Sequence, residues 1–600
     1  MKDSIRIFPD AVCSFAGDTV AIKLIADRDI SKENIIWSAS SDALSIKSFA
    51  DDTRYAFTDG VILTLLKAGE ATVTARFDGR DYSIPVSIRE MRHTESGADL
   101  NYYIGDLHDH TSHIHDPKLF PLRGDDRAAP YIEQVKNEGK MDLTVITDHG
   151  ELLTPNEFLD NFFTADGASP ELVALAGCES AVSVMETDRY GITTKQSGEI
   201  VTLNTDDFTD SSTWEEFYSR VASKPFTFCT LAHPQIIGYS HKGMWNFSLN
   251  KNNSPEMRHA IRGVEMGNGS TRESNLINEL VYSIALDNGF KVSATCSSDS
   301  HGPEWGYGCF PGKTVIMAKS KSKEDFLDAL LSNRFYATES GNVRLSYSVN
   351  GAVAPATLAP CSEYSFSVSI SLFREDIDST PTECRVISNR GLTVKTVTGD
   401  ALSELSFTVK AEDADYFYLR LTDKKSRKTW SAPVFVDREK RVRSAESIKP
   451  IDKSGFTVTD ARYGSDASAL VCDDPNRFWH SEHSDAEIVI DMGRTEKIKA
   501  LGHYPRVITR EILAKLSKQP SALICELPVE YTLETSLDGR AYTVCDEGLF
   551  RAFGGEEIIP FDEVTARYVR LTVHSNVAEY SGHASAFKKG LAIGELTLYR

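Results

Sequence analysis

The sequence predicts a multidomain protein in which a parallel β/α barrel is flanked by β-sandwich domains. A chain of 600 residues is too long for one hydrophobic core. Residues 100–340 alternate short apolar segments with amphipathic helical segments, the pattern of repeated βα units and a parallel sheet. The regions before and after alternate apolar and polar side chains with a period of two, as half-buried strands do.

The composition of the chain indicates which kinds of binding partner are expected. Hydrophobic residues make up 41% of the chain and charged residues 25%, and no apolar run is long enough to cross a bilayer. The net charge of −22 disfavours a phosphate backbone, so neither nucleic acid nor membrane is expected as a partner. The N-terminal segment turns polar before a signal-peptide core could form, which predicts a cytoplasmic chain as given, or an exported one if the N-terminus was trimmed. The cysteines include no C-x-x-C pair, which disfavours a disulfide framework or a thiolate zinc site.

Changes in periodicity and composition predict four domains. Thr19–Ile25 is typical of the strands in the first β-sandwich, and Tyr364–Ile370 of those in the second. A basic, helix-breaking stretch predicts a linker before the last β-rich domain. The predicted divisions are residues 1–98, the barrel at 100–340, a β-sandwich at 341–440, the linker at 441–454, and the last domain at 455–600.

The barrel prediction depends on a count of strands. Helical stretches such as 274–288 and 322–333 lie between some of the apolar segments. Seven segments have the length and composition of buried strands, which suggests a barrel of seven strands. They are residues 102–107, 142–147, 171–177, 199–203, 226–232, 261–266 and 290–296.

Metal-ligand residue types stand at the ends of five predicted strands. In Asp106-Leu107-His108-Asp109-His110-Thr111, alternation along a strand makes His108 and His110 point the same way. Because the carboxyl ends of barrel strands share one rim, the five motifs are expected to meet in one pocket. The other four motifs are Thr147-Asp148-His149, Gly177-Cys178-Glu179, Ala232-His233-Pro234 and Ser298-Asp299-Ser300-His301.

These donors predict a cluster of two or three divalent metal ions. Imidazole and carboxylate ligands without thiolates suit zinc, manganese or iron, and carboxylates can bridge two ions. A hydroxide held between two such ions is nucleophilic near neutral pH, and the same ions polarise the bond under attack. The residues therefore predict a metal-dependent hydrolase, with the choice among the three metals left open.

The ordered motifs H-x-H, T-D-H, G-x-E, A-H-P and S-D-x-H resemble the PHP superfamily, named for polymerase and histidinol phosphatase. The resemblance covers residues 100–340 and implies a distorted seven-stranded barrel. It also points to the branch that contains aryl-carbamate and ester hydrolases with appended β-sandwiches. The implied ligands are His108, His110, Glu179 and Asp299 for a first ion, Glu179 and His233 for a second, and His149, His301 and either His115 or Asp116 for a third, His115 being preferred.

The fourth strand departs from the family pattern. Related proteins often place a Gly-His pair there as a ligand of the second metal, whereas this chain has Gly198-Glu199. Two interpretations stay open for Glu199. It either binds the ion and favours a harder metal such as manganese, or forms a salt bridge beside a weak or empty position.

The site prediction extends to catalysis and substrate contacts. Asp148, Asp299 and His301 are the predicted catalytic residues, and Asp148 is expected to orient His149 or a neighbouring ligand rather than bind metal. Basic groups beside the rim of an acidic chain suggest an anionic substrate, and an aromatic wall suits a sugar. The predicted substrate-binding residues are Arg262, His241, Lys242, Arg258 and Trp305.

Both ends of the chain resemble known β-domains. Ile36–Asp42 and Gly69–Ala75 resemble bacterial immunoglobulin-like domains. The last domain resembles the discoidin, or coagulation factor 5/8 type C, family, which implies a jelly roll, a structural calcium ion with Asp474, Ser481 and Glu595 as its ligands, and a carbohydrate ligand bound by loops at one end. The binding residues of the family are not carried over, because these loops vary, and His503 and Arg506 are the candidates in this chain. The motifs of this second resemblance are Asp474–Ser481, Ile488–Gly493, Ser536–Gly539 and Ala566–Leu571.

Three functions follow as expectations. The first is a PHP-type phosphoesterase that acts on a phosphorylated sugar, nucleotide or glycan. The second keeps the metal site but cleaves a carboxyl ester, carbamate or amide. The third is a glycan-binding protein without catalysis, which the buried histidine cluster opposes because unpaired buried imidazoles are costly.

Overall fold

A computed structural model of the protein describes most of the chain. In that part of the chain, no helix is long and apolar enough to cross a membrane. The described residues are 5–30, 33–48, 59–111, 128–138, 140–166, 171–187, 193–204, 216, 227–234, 258, 260–269, 275–301, 305–306, 310–438, 448–461, 466–474, 477–506, 525–551, 556–581 and 590–600.

The N-terminal region consists of two four-stranded sheets that enclose one apolar core, as a β-sandwich does. Along β7 the exposed and buried residues alternate, so its apolar side chains enter the core. The sheet orders are β1-β3-β6-β5 and β2-β8-β7-β4. The strands are β1 (Arg6–Phe8), β2 (Val12–Phe15), β3 (Thr19–Ile25), β4 (Ile36–Ala39), β5 (Leu44–Ser48), β6 (Gly60–Leu65), β7 (Gly69–Phe77) and β8 (Arg80–Arg89).

The described residues of the central region form nine strands and four helices. Its sheet runs in the order β15-β14-β13-β12-β11-β10-β9-β16-β17. The strands are β9 (Asn101–Gly105), β10 (Leu143–Ile146), β11 (Val173–Thr187), β12 (Thr193–Leu203), β13 (Phe228–Ala232), β14 (Ile261–Asn268), β15 (Ser293–Ser297), β16 (Lys313–Ala318) and β17 (Phe335–Thr338). The helices are α1 (Ala128–Glu138), α2 (Pro155–Asp166), α3 (Asn275–Asp287) and α4 (Lys323–Leu331).

The strands β9–β15 correspond to the seven predicted strands, but their pairing differs from the prediction. β12 is antiparallel to β11 and to β13, because it returns from β11 as a hairpin instead of through a helical crossover. No strand pairing in the described residues joins β15 to β9, which instead pairs with β16. The closed parallel barrel is therefore not supported by the strand pairing.

Backbone hydrogen bonds join the segments that directly follow β9 and β15. The Asp299 amide donates to the His108 carbonyl at 2.9 Å, and the His110 amide donates to the Ser300 carbonyl at 3.3 Å. Segments far apart in sequence are thereby held side by side where the predicted ligands lie.

The next region continues the same sheet. Ala337 of β17 pairs with Trp430 of β26, and the sheet proceeds through β25, β22 and β23. Ala337, Tyr418 and Trp430 share one apolar core with the central region, so residue 340 does not separate two cores. The strands are β18 (Val343–Val349), β19 (Ala352–Val353), β20 (Ala356–Leu358), β21 (Glu363–Leu372), β22 (Pro381–Ser388), β23 (Leu392–Thr398), β24 (Glu404–Lys410), β25 (Tyr416–Asp423), β26 (Lys428–Trp430) and β27 (Val434–Val436).

The C-terminal region is again built from β-sheets around its own core. A six-stranded sheet has the order β28-β30-β33-β31-β32, with β35 also paired to β30, and β29 pairs with β34. The strands are β28 (Thr457–Ala461), β29 (Trp479–Ser481), β30 (Ala486–Tyr504), β31 (Glu530–Ser536), β32 (Thr543–Leu549), β33 (Glu557–Val573), β34 (Leu591–Ile593) and β35 (Glu595–Tyr599). The described residues of this region also form a short helix, α5 (Val577–Ser581).

The C-terminal region packs against α3 of the central region. Ile277 and Leu280 of α3 share an apolar cluster with Leu527 and Val577. At the end of α3, Arg551 donates to Asp287 at 2.5 Å. The C-terminal sheets are thus fastened to the helix that follows β14.

Candidate metal centre

Eight predicted ligands lie close together in the central region. They come from four connections and two strands, so the cluster depends on the pairing of the whole central sheet. His108 and His110 follow β9, His149 follows β10, Glu179 is in β11, Glu199 is in β12, His233 follows β13, and Asp299 and His301 follow β15.

Glu179 lies at the middle of the cluster. Its Oε1 is 3.1 Å from His233 Nε2, and its Oε2 is 3.1 Å from His149 Nδ1 and 3.4 Å from His108 Nε2. The carboxylate is completely buried. One buried carboxylate therefore faces imidazoles delivered by three different strands.

Asp299 forms a second contact point for the first two histidines. Its Oδ1 is 3.0 Å from His110 Nε2 and 3.5 Å from His108 Nε2. The backbone of Asp299 has a φ of 48°, in the left-handed region that Asp adopts more readily than most residues. This turn brings both Asp299 and His301 towards the cluster.

The donor atoms of the cluster are arranged as metal ligands and not as hydrogen-bond partners of one another. Both carboxylate oxygens of Glu179 lack a hydrogen bond of acceptable geometry among the described residues, despite being buried. His108 Nε2 and His110 Nε2 are 3.2 Å apart, and His149 Nε2 and His301 Nε2 are 3.4 Å apart. Lone pairs aimed at one another are satisfied when a cation lies between them.

Four overlapping groups have donor atoms within 4.8 Å of one another. Glu179 and Glu199 appear together in one of them, so Glu199 is brought to the cluster, where its carboxylate is 3.6 Å from His233. The groups are His110, His149 and His301; His108, His233 and Glu265; His108, His110 and Asp299; and Glu179, Glu199 and His233.

The pKa values of two histidines in the cluster are shifted in opposite directions. Burial disfavours the charged form of His233, but Glu179, Asp299 and Glu199 outweigh it and raise the pKa of His233 to about 9. Burial dominates at His110 and lowers its pKa to about 3. His110 is thus held neutral, which is the form in which imidazole binds metal.

Glu265 is a cluster residue that the strand-end motifs missed. It lies in β14 and is buried, with Oε1 3.3 Å from His108 Nδ1. Its Oε2 accepts from the His233 amide at 2.8 Å and from Asn268 Nδ2 at 2.9 Å. A carboxylate on the far nitrogen of a ligand histidine fixes the tautomer and the ring orientation. Its position near the carboxyl end of the predicted strand 261–266 was the available signal.

Glu265→Gln is expected to weaken metal binding while the ligands remain in place. The amide would keep the shape but lose the charge that orients His108, and such changes cost about 10–100-fold in metal affinity. Metal-buffered titration of the chelated protein would measure the loss. Unchanged affinity would show that His108 needs no such partner.

Gly177 explains the glycine of the G-x-E motif. A Cβ built on Gly177 would lie 1.8 Å from the Thr202 carbonyl oxygen of β12. Only glycine allows β12 to approach β11 this closely, two residues before Glu179. The motif therefore positions Glu199 as well as Glu179.

Asp148 is buried but has other partners than a histidine. Its carboxylate accepts from the Thr111 amide at 2.6 Å, from Thr111 Oγ1 at 2.7 Å and from Asn161 Nδ2 at 2.8 Å. Since Thr111 directly follows His110, Asp148 secures the segment that carries a ligand. A direct role for Asp148 in catalysis stays a prediction.

Several predicted substrate contacts lie elsewhere. Trp305 is buried, and its Nε1 donates to the His110 carbonyl at 2.8 Å, so it packs behind the cluster and does not form an open aromatic wall. Arg262 lies near the start of β14, where burial lowers its pKa and Cys229 is its electrostatic neighbour. Arg258 is half-buried before β14. His115, Asp116, His241 and Lys242 lie outside the described residues.

The predicted calcium ligands of the C-terminal region have partners of their own. Glu595 is buried, contacts Lys453 Nζ and accepts from the Asp473 amide at 2.9 Å. Ser481 Oγ accepts from the His483 amide at 3.0 Å. A lysine ammonium thus already neutralises Glu595, and the calcium site at Asp474, Ser481 and Glu595 stays a prediction.

His503 cannot contact a carbohydrate from its observed position. It is fully buried against Phe550, with ring centroids 4.3 Å apart, and neither ring nitrogen has a hydrogen-bond partner among the described residues. Burial lowers the pKa of His503 from 6.5 to about 3. Arg506 is also buried and donates to Glu526 at 2.8 Å.

His503→Phe is expected to stabilise the C-terminal region by about 1–3 kcal/mol, because it removes buried unpaired polar atoms. Between pH 6.5 and about 3 the unfolded chain binds a proton that folded His503 does not, so wild-type stability falls as the pH drops through this window. The variant should lose that part of the pH dependence. Hydrogen exchange of β30 at pH 7 and pH 5 tests this prediction. The same loss of stability between the two pH values in both proteins would contradict it.

Comparisons with known proteins leave the family open. No protein-family model and no curated protein matches the chain. Each of the solved structures described below matches about a quarter of the chain. A family 32 carbohydrate-binding module from NanJ of C. perfringens, in complex with galactose, is 17% identical and covers 26% of this chain and 99% of its own, with a TM-score of 0.20.

Two further solved structures are similar to the same extent. A family 32 module from a family 31 glycoside hydrolase of Clostridium perfringens is 22% identical, with a TM-score of 0.20, and covers 25% of this chain and 94% of its own. A fragment of a putative chitobiase from Bacteroides thetaiotaomicron is 16% identical, with a TM-score of 0.21, and covers 27% and 95%. At these TM-scores the likeness assigns neither fold nor ligand to this chain.

Proposed function

We propose that the protein is a metal-dependent hydrolase whose reaction takes place at the cluster around Glu179. The observation that carries the proposal is the convergence of imidazoles and carboxylates from four connections and β12 on Glu179, a buried carboxylate without a hydrogen-bond partner among the described residues. We further propose that residues 100–340 are a distorted barrel of the PHP type. The ordered motifs and the backbone hydrogen bonds between the segments after β9 and β15 support this assignment.

The ions would be held by His108, His110, His149, Glu179, Glu199, His233, Asp299 and His301. When bound, divalent ions supply Lewis-acid chemistry, lowering the pKa of water and polarising the scissile bond. The chain's own residues orient these ligands. Glu265 holds His108, and Asp148 secures the segment after His110.

The exposed side of the cluster indicates where substrate enters. The side chains of His108 and His110 are fully buried, whereas those of His149 and His301 are 17% and 35% exposed. A substrate would therefore approach past His149 and His301. His301 would be the first imidazole that it meets, in line with its predicted catalytic role.

The specific bond proposed is a phosphoester of a sugar, nucleotide or glycan. The support is the family resemblance of the five motifs, and the same donors would serve a carboxyl ester, carbamate or amide. Cleavage of any of these bonds uses an activated water and a polarised oxygen. The residues around the exposed side of the cluster would determine which of these bonds is cleaved.

Metal analysis and a matched set of aryl substrates test the proposal. The purified protein would be chelated, reloaded with zinc or manganese, and assayed on an aryl phosphate, an aryl ester and an aryl carbamate. Chelator-sensitive turnover of the phosphate supports the phosphoesterase. Turnover of only the ester or carbamate moves the proposal to that bond, and a chain that retains no metal would refute the hydrolase.

A second candidate function is carbohydrate binding by the C-terminal region. Half-buried Phe478 packs against the buried guanidinium of Arg506, 5.2 Å from the ring centroid, and the 31% exposed side chain of His480 lies 3.5 Å from Glu526. A partly exposed aromatic ring near a partly exposed imidazole suits a sugar ring. Calorimetric titration with mono- and disaccharides tests this. Phe478→Ala should abolish binding, and Leu537→Ala, which removes a 61% exposed side chain, should not.

A further inference from the structure

The four donor groups of the cluster differ in chemistry. His110, His149 and His301 form a group of imidazoles alone. Glu179, Glu199 and His233 form a group with two carboxylates and one imidazole. The cluster therefore contains a nitrogen-rich position, which is partly exposed, and a buried oxygen-rich position.

The oxygen-rich position is built by the β11–β12 hairpin. Glu199 of β12 pairs with Ala181 of β11 and with Ala232 of β13, which places it beside Glu179 and next to the connection that carries His233. Its carboxylate is buried and 3.6 Å from His233 Nε2. The hairpin and the close approach at Gly177 thus hold Glu199 in the cluster.

Glu179 lies between the two positions. Its Oε1 faces His233 on the oxygen-rich side, and its Oε2 faces His149 on the nitrogen-rich side. Both oxygens are buried without hydrogen bonds among the described residues, so both remain available as ligands. One carboxylate can therefore serve an ion on each side.

We infer that the cluster binds two different metals, manganese at the oxygen-rich position and zinc at the nitrogen-rich position. Carboxylate oxygens suit manganese, whereas imidazoles suit zinc. Two carboxylates also neutralise the charge of a divalent ion in a buried site, which imidazoles do not. This inference rests on the proposal that the pocket binds metal, and it names Glu199 as the residue that selects between the ions.

The experiment is competitive reloading of the chelated full-length protein. Because zinc binds more tightly than manganese at most sites, manganese is supplied in large excess over zinc. Bound metals are counted by mass spectrometry, and manganese is also observed by electron paramagnetic resonance. Wild-type protein is expected to retain both metals.

Two substitutions address the two positions separately. Glu199→His should lower the ratio of bound manganese to zinc by about tenfold or more. Substitutions of groups that support metal ligands already cost about 10–100-fold in metal affinity. His301→Gln should lower zinc and leave manganese in place. Glu199→Gln, with the same shape and no charge, provides a second measure of manganese loss if Glu199→His fails to fold.

The outcomes separate the inference from the proposed function. A wild-type chain that retains one kind of metal at every position, or a manganese-to-zinc ratio unchanged by Glu199→His and Glu199→Gln, overturns the inference and leaves the hydrolase standing. A chain that retains neither metal overturns both.

Discussion

Glu179→Gln is expected to abolish metal retention and hydrolysis together. The glutamine has the same shape, but its neutral amide cannot neutralise an ion or present a negatively charged oxygen to either side of the cluster. The carboxylate lies 3.1 Å from both His233 and His149, so its loss affects two positions at once. Turnover should fall by at least about a hundredfold, because substitutions of groups that only support metal ligands already cost up to about that much.

Metal content measured by mass spectrometry, alongside aryl-substrate turnover, tests this prediction. Glu534→Gln is a matched control, because Glu534 is paired with Arg570 at 2.6 Å in the C-terminal region. The control should retain its metal and its turnover. A Glu179→Gln protein that folds, holds the wild-type complement of metal and turns over substrate would place the reaction elsewhere.

Arg420→Ala is expected to destabilise the packing between α3 of the central region and β25 of the region that follows it. Arg420 of β25 pairs with Glu279 of α3, and both side chains are buried. Tyr418 Oη also donates to Glu279 at 2.7 Å. Removing the arginine leaves a buried carboxylate without its counter-ion, which costs about 3–5 kcal/mol.

Hydrogen exchange of α3 and β25 measures this loss directly, which avoids assuming that the whole chain unfolds in one step. Arg76→Ala is the comparison, because the Arg76–Asp81 pair, with its atoms 2.7 Å apart, is exposed. That change should cost less than about 1 kcal/mol. The double variant Arg420→Met with Glu279→Leu should recover most of the lost stability. Equal effects of the two single substitutions would contradict the argument.

The strands and most donors of the cluster follow from local sequence. His108 and His110 share a face because of strand alternation, and Asp299 and His301 directly follow an apolar strand. These are relationships over a few residues. They predict which residue types face one rim, and the structure brings those residues together.

Other features depend on contacts between distant segments. Glu265 lies inside β14, so the strand-end rule passed over it, although its contact with His108 spans 157 residues. Trp305 follows the last ligand motif but turns inward to the His110 carbonyl. The direction of β12 could not be read from its own residues, because a buried apolar strand has the same pattern whether its neighbours are parallel or antiparallel.

The sequence by itself determined the β-rich multidomain organisation, the seven central strands and the donor chemistry of the cluster. Apolar periodicity and residue type are local properties, and they suffice for these. Only the tertiary structure decided how the strands pair, that the central sheet continues past residue 340, and that Glu199 joins Glu179 and His233 in an oxygen-rich position. Distances between donors are set by register across strands that lie far apart in the chain, and no local pattern carries that information.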